Sequence, residues 1–366
     1  MTEAARYGDR RRRVARAIEA AGLDGFVVTP GPDLRYLTGY EGLTMERPTM
    51  LRLPPTGDPV MLVPRLELPS AEAAPGIEGV ELEAWADGED PYGLAARMLA
   101  PGRHAITDRT WAAVLLGLQE AVPDAVFVAS GATLPGLRAV KDAEELDAMT
   151  RAGAAADAAF DAIRARPFSG RTEHDVAREL AELLRASGHE AVEFTIVGSG
   201  PNGASPHHDA GPRRIGAGEG VVLDFGGFLE GYGSDLSRTV VVGEPPTGFD
   251  EVYVAVRAAQ QAAVEAVRPG VSCQDVDRAA RAVIEDAGFG ELFLHRTGHG
   301  IGLETHEDPY IVEGNETRLR EGMTFSIEPG VYVEGRFGVR IEDIVAVTGD
   351  GARRLNEAPR DLVTVA

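Results

Sequence analysis

The sequence predicts a mixed α/β (α+β) protein of two domains, and three observations carry that expectation. A chain of 366 residues exceeds what one ordinary domain core accommodates. Its first 135 residues alternate short apolar strands with helical patterns and Pro/Gly turns, which is the pattern of an α/β domain. Residues 136–366 open on a long helix and then contain an internal near-repeat, so this domain is expected to consist of two related halves.

In the first domain, "DGFVVT" (24–29) and "PVMLVP" (59–64) read as buried strands. The basic run Arg10 to Arg13, followed by "VARAIEAAG", reads as the solvated start of an amphipathic helix rather than a nucleic-acid patch. Turn formers in "SGATLPGLRAVKD" (130–142) mark the boundary, dividing the chain at 135/136. Asp142 with Glu145 forms the signature of a capping box, and Leu146, Met149, Gly153, Ala156, Phe160 and Ile163 recur at helical spacing behind it.

The repeat appears on comparing "TEHDVARELAELLRASG" (172–188) with "SCQDVDRAARAVIEDAG" (272–288). Both read as capped helices ending at glycine. The match continues through Gly198 and Gly200 against Gly298 and Gly300, and each half then reaches an "EG" followed by a strand. Halves related in this way can face each other across a pseudo-twofold axis and aim equivalent strands into one cleft, so chemistry is expected in pairs.

Composition narrows the function classes. Hydrophobic content of 44% and charged content of 26% are globular values. The net charge of −22 lies mostly after residue 140, where 39 acidic groups face 22 basic ones, and this repels nucleic acid and anionic membrane. No apolar run approaches the roughly 20 residues of a membrane span, and the N-terminus is charged where a signal peptide needs an apolar core, so the chain is expected in the cytoplasm. The single cysteine, Cys273, sits just inside a helix start with no motif around it.

The acids in strands are the unusual feature. Asp224 interrupts "VVLDFGG", and Asp235 lies in "SDLSRTVVVG". In the second half Glu328 ends "MTFSIEPG", and Glu342 follows Arg340 by two in "FGVRIEDIVAV", on the same strand face. A single such acid is more often an edge residue or an ion-pair partner, and Glu342 has Arg340 at hand. Four together in apolar strands need compensation, because a buried carboxylate without a partner costs several kcal/mol (about 2–7 for a polar group) or takes up a proton. Lys141 is the only lysine, and the nearest arginines are Arg238 and Arg340. Two divalent ions would balance four carboxylates. With His299 they have five side-chain ligands, so some carboxylates must bridge. Oxygen-dominated ligation favours Mn2+, with Co2+, Fe2+ or Zn2+ as alternatives. Bridged ions acidify a shared water, and hydrolysis is the expected chemistry.

Of the eight histidines, His104, His174 and His189 fall in helical or turn contexts and are expected at the surface. His207 and His208 precede the Asp224 strand on a loop, and either one could face the cleft. His295 and His306 flank His299 in "HRTGHGIGLETHE". The i, i+4 spacing of His295 and His299 suits a helical metal pair, but Gly298, Gly300 and Gly302 disfavour a helix, so this stretch is expected to be a loop bringing backbone close to a ligand.

Together, "LDFGG", "SDLSRT", "GHGIGLETHE", "SIEPG" and "VRIED" resemble, in order, the motifs of the pita-bread metallopeptidases, the superfamily of methionine aminopeptidase, aminopeptidase P, prolidase and creatinase. "DLRYLTGY" (33–40) is similar to a motif in the N-terminal domain of the aminopeptidase P and prolidase branch, so the resemblance covers nearly the whole chain. It implies a creatinase-like α/β domain over 1–135 and a pita-bread catalytic domain over 136–366 with pseudo-twofold duplicated halves. It implies Asp224, Asp235, His299, Glu328 and Glu342 as ligands of two divalent metal ions, with Glu328 also the general base. His207, seventeen residues before Asp224, matches the histidine that steadies the substrate amide, and His306 matches its partner. His295 and Arg340 match aminopeptidase P positions lining the site. His208 has no counterpart. The implied activity is hydrolysis of Xaa-Pro bonds in dipeptides or short proline-containing peptides, by a homodimer formed through the N-terminal domain. A same-fold hydrolase of another C–N bond, as in creatinase, is the alternative within the fold. A non-enzymatic binding protein is the alternative outside enzymes. Retention of all five ligands argues against both the metal-free creatinase version and the binding protein.

Overall fold

The computed structural model describes residues 2–366, which form two compact units, one running to Arg138 and the other spanning Ala139–Ala366. Among the described residues no helix is long and apolar enough to cross a membrane.

The first unit is a six-stranded sheet of β1 (Gly25–Val28), β2 (Met50–Leu53), β3 (Val60–Pro64), β4 (Glu81–Trp85), β5 (Gly102–Ile106) and β6 (Ala125–Ala129), in the order β4-β3-β2-β1-β5-β6. Its β1–β2 and β2–β3 pairs are antiparallel and the others parallel. The helices are α1 (Glu3–Ala20), α2 (Pro32–Thr38), α3 (Leu68–Glu72), α4 (Pro91–Met98), α5 (Ala112–Ala121) and α6 (Ser130–Thr133). The run Arg10–Arg13 departs from expectation. Thr2 caps α1, so the run lies in mid-helix, and Arg10 and Arg11 are buried. Arg11 donates to the carbonyls of Leu37, Gly76 and Glu78, while Arg10 stacks 4.4 Å over the Tyr36 ring. Guanidinium groups tolerate this burial because carbonyl oxygens and an aromatic face replace water. His104, on β5, is buried too, with Nε2 bonded to the Ala100 carbonyl (2.8 Å).

The second unit repeats one theme twice. The first half holds α7 (Ala143–Arg164), α8 (Glu173–Ala186), β7 (Ala191–Ser199), β8 (Gly220–Leu229) and β9 (Tyr232–Val242). The second holds α9 (Phe249–Ala266), α10 (Cys273–Asp286), β10 (Gly298–Gly300), β11 (Glu307–Ile311), β12 (Thr324–Ile327), β13 (Gly330–Val333), β14 (Phe337–Arg340), β15 (Asp343–Val347) and β16 (Ala352–Arg354). The final strand, β17 (Val363–Val365), returns to the first half and gives a sheet ordered β17-β9-β8-β7, beside one ordered β11-β10-β12-β15-β16 and the hairpin β13-β14. The Asp142–Glu145 capping box starts α7 as expected. Duplication extends to single hydrogen bonds. Gly170 donates to Ile215 and Gly270 to Leu319, and Glu173 to Arg213 as Cys273 to Thr317. The bridges Thr172–Arg214 and Ser272–Arg318 match as well.

Each half has its own core. Phe160, Val176, Leu180, Leu223, Phe225 and Leu236 pack in the first, and Val256, Val276, Ile284, Phe325, Ile327 and Val345 in the second. Burying a side chain such as Phe225 fully contributes roughly 1.5–3 kcal/mol. Because strand residues alternate between faces, Leu223, Phe225 and Leu236 in the core put Asp224, Asp235 and Ser237 on the opposite face. Two details differ from expectation. "FGVRIEDIVAV" is two strands, broken at Ile341–Glu342, because β14 pairs with β13 while β15 pairs with β12. His189 is buried, with Nδ1 at the Leu184 carbonyl (3.1 Å) and Nε2 on Ser234 (2.7 Å), whereas His174 is exposed as expected.

Candidate metal centre

Antiparallel pairing of β8 with β9 sets Asp224 opposite Ser237 and Gly226 opposite Asp235, so the two aspartates lie on adjacent strands. Glu328 follows the last residue of β12, and Glu342 occupies the break between β14 and β15. The halves are stitched where these acids meet: Glu342 N–H donates to the Ser237 carbonyl (3.0 Å), and Arg340 N–H to Thr239 Oγ1 (2.9 Å).

His299 stands on β10, a three-residue strand with a bulge after it rather than a loop. The glycines on either side are required by packing. A Cβ at 298 would collide with the Ser326 carbonyl, and one at 300 with the carbonyls of Asp308 and Glu307. His299 N–H is held by Ser326 Oγ (2.9 Å) and Nδ1 by the Gly300 carbonyl (3.1 Å). A carbonyl accepts only, so Nδ1 carries the proton, and the Nε2 lone pair points among carboxylates: 3.6 Å from Asp235 Oδ2 and 3.4 Å from Glu328 Oε1. Burial pushes the His299 pKa down to about 3, with His306 nearby adding to the effect, so the ring is neutral. A lone pair facing two acids is repulsive unless a cation lies between them. This orientation, with the other nitrogen on a carbonyl, is that of a metal-ligating histidine.

The acids have the matching defect. Oδ1 of Asp224, Oδ1 of Asp235 and Oε1 of Glu342 are buried and have no hydrogen-bond partner. Burial, then the neighbouring charges of Glu342, Asp224 and Glu328, hold Asp235 well above the usual carboxylate range. Burial likewise raises Glu342 strongly, and raises Glu328 to about 7 against the pull of Arg340. Ligand atoms of Asp235, His299 and Glu342 all lie within 4.8 Å of one another. Orphaned carboxylate oxygens, a neutral imidazole aimed among them and mutual repulsion fit a divalent cation site with oxygen-rich ligation.

Two regions of the sequence match family models. Residues 147–349 match the model of metallopeptidase family M24, and residues 10–140 that of the creatinase/prolidase N-terminal domain. The chain belongs to metallopeptidase family M24. It is 47% identical over 363 residues to the probable dipeptidase PepE of Mycobacterium bovis, spanning 98% of this chain and 96% of the relative. It is 38% identical to the Xaa-Pro dipeptidase of Lactobacillus helveticus, spanning 90% and 91%. The crystal structure of dipeptidase PepE from Mycobacterium ulcerans superposes with a TM-score of 0.93 at 49% identity, covering 99% of this chain and 98% of that one. As an M24 metallopeptidase with a creatinase-type N-terminal domain, it has the pita-bread fold and metal dependence that its motifs imply.

Around the M24 cluster the other expected residues are unequally engaged. Arg340 is buried and donates to Asp224 Oδ2 (2.5 Å), Tyr332 Oη (2.8 Å) and Ser237 Oγ (3.0 Å). It does not pair with Glu342 directly; Ser237 Oγ bridges to Glu342 Oε2 (2.7 Å). Arg238 faces the other way and binds Asp343 (2.6 Å). His295 has both ring nitrogens engaged, Nδ1 on the Arg296 carbonyl and Nε2 on the Tyr332 hydroxyl (2.8 Å each). Burial and the Arg340 charge take it down to about 4, so it stays neutral. The exposed His306 ring lies over His299, with centroids 3.8 Å apart, and Arg296 reaches its Nδ1 at 3.1 Å. His207 is exposed on the segment after the turn Gly200–Ala204, near enough to His295 to influence its charge.

Sequence reasoning overlooked several supporting side chains. Tyr332 joins His295 to Arg340, Ser237 joins Arg340 to Glu342, and Ser326 joins His299 to Glu328 (3.2 Å). The period of two was an available signal for two of them, since Ser237 and Ser326 lie two residues from Asp235 and Glu328. Nothing local marks Tyr332.

Proposed function

We propose that residues 136–366 form the catalytic domain of a dinuclear metal-dependent Xaa-Pro dipeptidase, which cleaves the bond between an amino-terminal residue and proline. The observation that carries this reading is the buried group Asp235, His299 and Glu342, with carboxylate oxygens that no donor satisfies. Asp224, Asp235, His299, Glu328 and Glu342 would hold two divalent ions, Mn2+ ahead of Co2+, Fe2+ or Zn2+. When bound, divalent ions at these residues would supply Lewis-acid polarisation and would lower the pKa of a coordinated water. Glu328 takes the water proton on its carboxylate and passes it to the proline nitrogen as the bond breaks. His207 and His306 donate to the scissile carbonyl oxygen as negative charge develops. Arg296 at Nδ1 of His306 leaves the ring proton on Nε2 for this purpose. Arg340 fixes the Asp224 carboxylate. His295, with both nitrogens engaged, holds Tyr332 and through it Arg340 rather than transferring protons.

Dipeptides are favoured over longer peptides because relatives spanning nine-tenths or more of the chain are named dipeptidase or Xaa-Pro dipeptidase. The deciding experiment strips the protein with a chelator, restores Mn2+, Co2+ or Zn2+, and compares Ala-Pro, Ala-Pro-Gly and Ala-Ala, with elemental analysis of the untreated protein. Metal-dependent cleavage of Ala-Pro ahead of the other two is expected. Equal rates on Ala-Ala would remove proline from the reading, and hydrolysis unaffected by chelation would remove the metal. We also propose a cytoplasmic homodimer, checked by light scattering and cell fractionation.

A further inference from the structure

Glu173, in the first turn of α8, is one of the fully buried carboxylates outside the metal cluster. It accepts from the N–H and hydroxyl of Ser199 (2.8 and 2.7 Å), Nδ2 of Asn202 (3.0 Å), Nε2 of His208 (2.8 Å) and the N–H of Gly211 (3.4 Å). Capping the helix does not require it, because Thr172 and Asp175 already form a complete capping box. Its donors tie down both ends of the segment 199–211, and exposed His207 lies inside it, next to the His208 anchor.

The other half has a similar arrangement at a different position, since Cys273 stands where the repeat would place a counterpart of Glu173. Asp277, on α10 and fully buried, accepts from the N–H and hydroxyl of Thr297 (3.0 and 2.7 Å), two residues before His299. It also binds Arg281 (2.7 Å), which in turn donates to the His295 carbonyl (2.5 Å). In each half, then, a helix carboxylate grips both donors of one Ser or Thr at the root of a histidine-bearing segment. Desolvating a carboxylate is costly, and a surface loop does not need five donors gathered on one.

We propose that Glu173 is a positioning residue for His207, holding the 199–211 segment so that the His207 ring meets the substrate carbonyl. This rests on the role given to His207 above. Glutamine cannot replace Glu173, because fixed backbone donors engage both carboxylate oxygens, Ser199 N–H at Oε1 and Gly211 N–H at Oε2. An amide offers an acceptor to just one of them.

The test is a double-mutant cycle with Glu173→Gln, His207→Ala and the double variant, assayed on Ala-Pro with Mn2+, alongside Mn2+ titration and thermal unfolding. Glu173→Gln is expected to lower kcat/KM by about tenfold with Mn2+ affinity unchanged, and the double variant to be no slower than His207→Ala. Multiplying effects, or a loss of Mn2+ affinity in Glu173→Gln, overturn the proposal. An unchanged rate in His207→Ala instead overturns the role of His207 itself. Should Glu173→Gln fail to fold, His208→Ala cuts the outer anchor alone. The same non-additivity with His207→Ala is then expected, and additivity again overturns the proposal.

Discussion

Arg340 donates to Asp224 across 2.5 Å, and through Ser237 the same guanidinium also reaches Glu342. One side chain thereby orients carboxylates from both halves, using separate nitrogens of a rigid fork. Lysine keeps the charge but not the fork. Arg340→Lys is expected to lower kcat/KM by about tenfold to a hundredfold, the scale of losing one charged hydrogen bond of about 1.5–3 kcal/mol. Steady-state kinetics with saturating Mn2+ measures it, and a rate within twofold of the parent would show that Arg340 is not needed for orientation.

Asp235→Ala should abolish Mn2+-dependent hydrolysis and leave the fold intact. Removing a buried acid that repels its neighbours should not lower the melting temperature of the metal-free protein. The parent, but not the variant, should be stabilised by Mn2+, by about 2.7 kcal/mol at a hundred times the dissociation constant. Calorimetric scans with and without Mn2+ test both statements, and an active, metal-free variant would contradict the ligand assignment.

For His306, stacked on His299 at the exposed side of the cluster, we expect replacement by alanine to slow turnover by about 10²-fold while changing Mn2+ affinity much less. Comparing kcat with a Mn2+ titration separates the two. An unchanged kcat removes His306 from the mechanism.

Acidity provides a further check. In the metal-free protein burial holds Asp235 and Glu342 well above their ordinary values and raises Glu328 from 4.5 to about 7. A raised carboxyl leaves the folded state unpenalised below the unfolded value, and stability is lost as pH rises through the folded one. The metal-free melting temperature should therefore fall from about pH 5 to pH 8 through these groups, whereas ion binding, which needs ionised carboxylates, strengthens over the same interval. The gap between metal-loaded and metal-free melting temperatures should widen with pH, and a constant gap would argue against these acids as ligands.

By itself the sequence determined the elements and the chemical inventory: the two capped helices a hundred residues apart, the acids in apolar strands, and the glycines around His299. Each of these follows from spacing and residue type within a short window. Tertiary structure decided the partners. It gave Arg340 to Asp224 rather than to the neighbouring Glu342, broke the strand at Ile341–Glu342, buried Arg10, Arg11, His104 and His189, and seated Glu173 under the His207 segment. Periodicity states which face a side chain occupies. Which charge from a hundred residues away meets it there depends on how sheets and helices pack, and at these positions that pairing sets the protonation of the site.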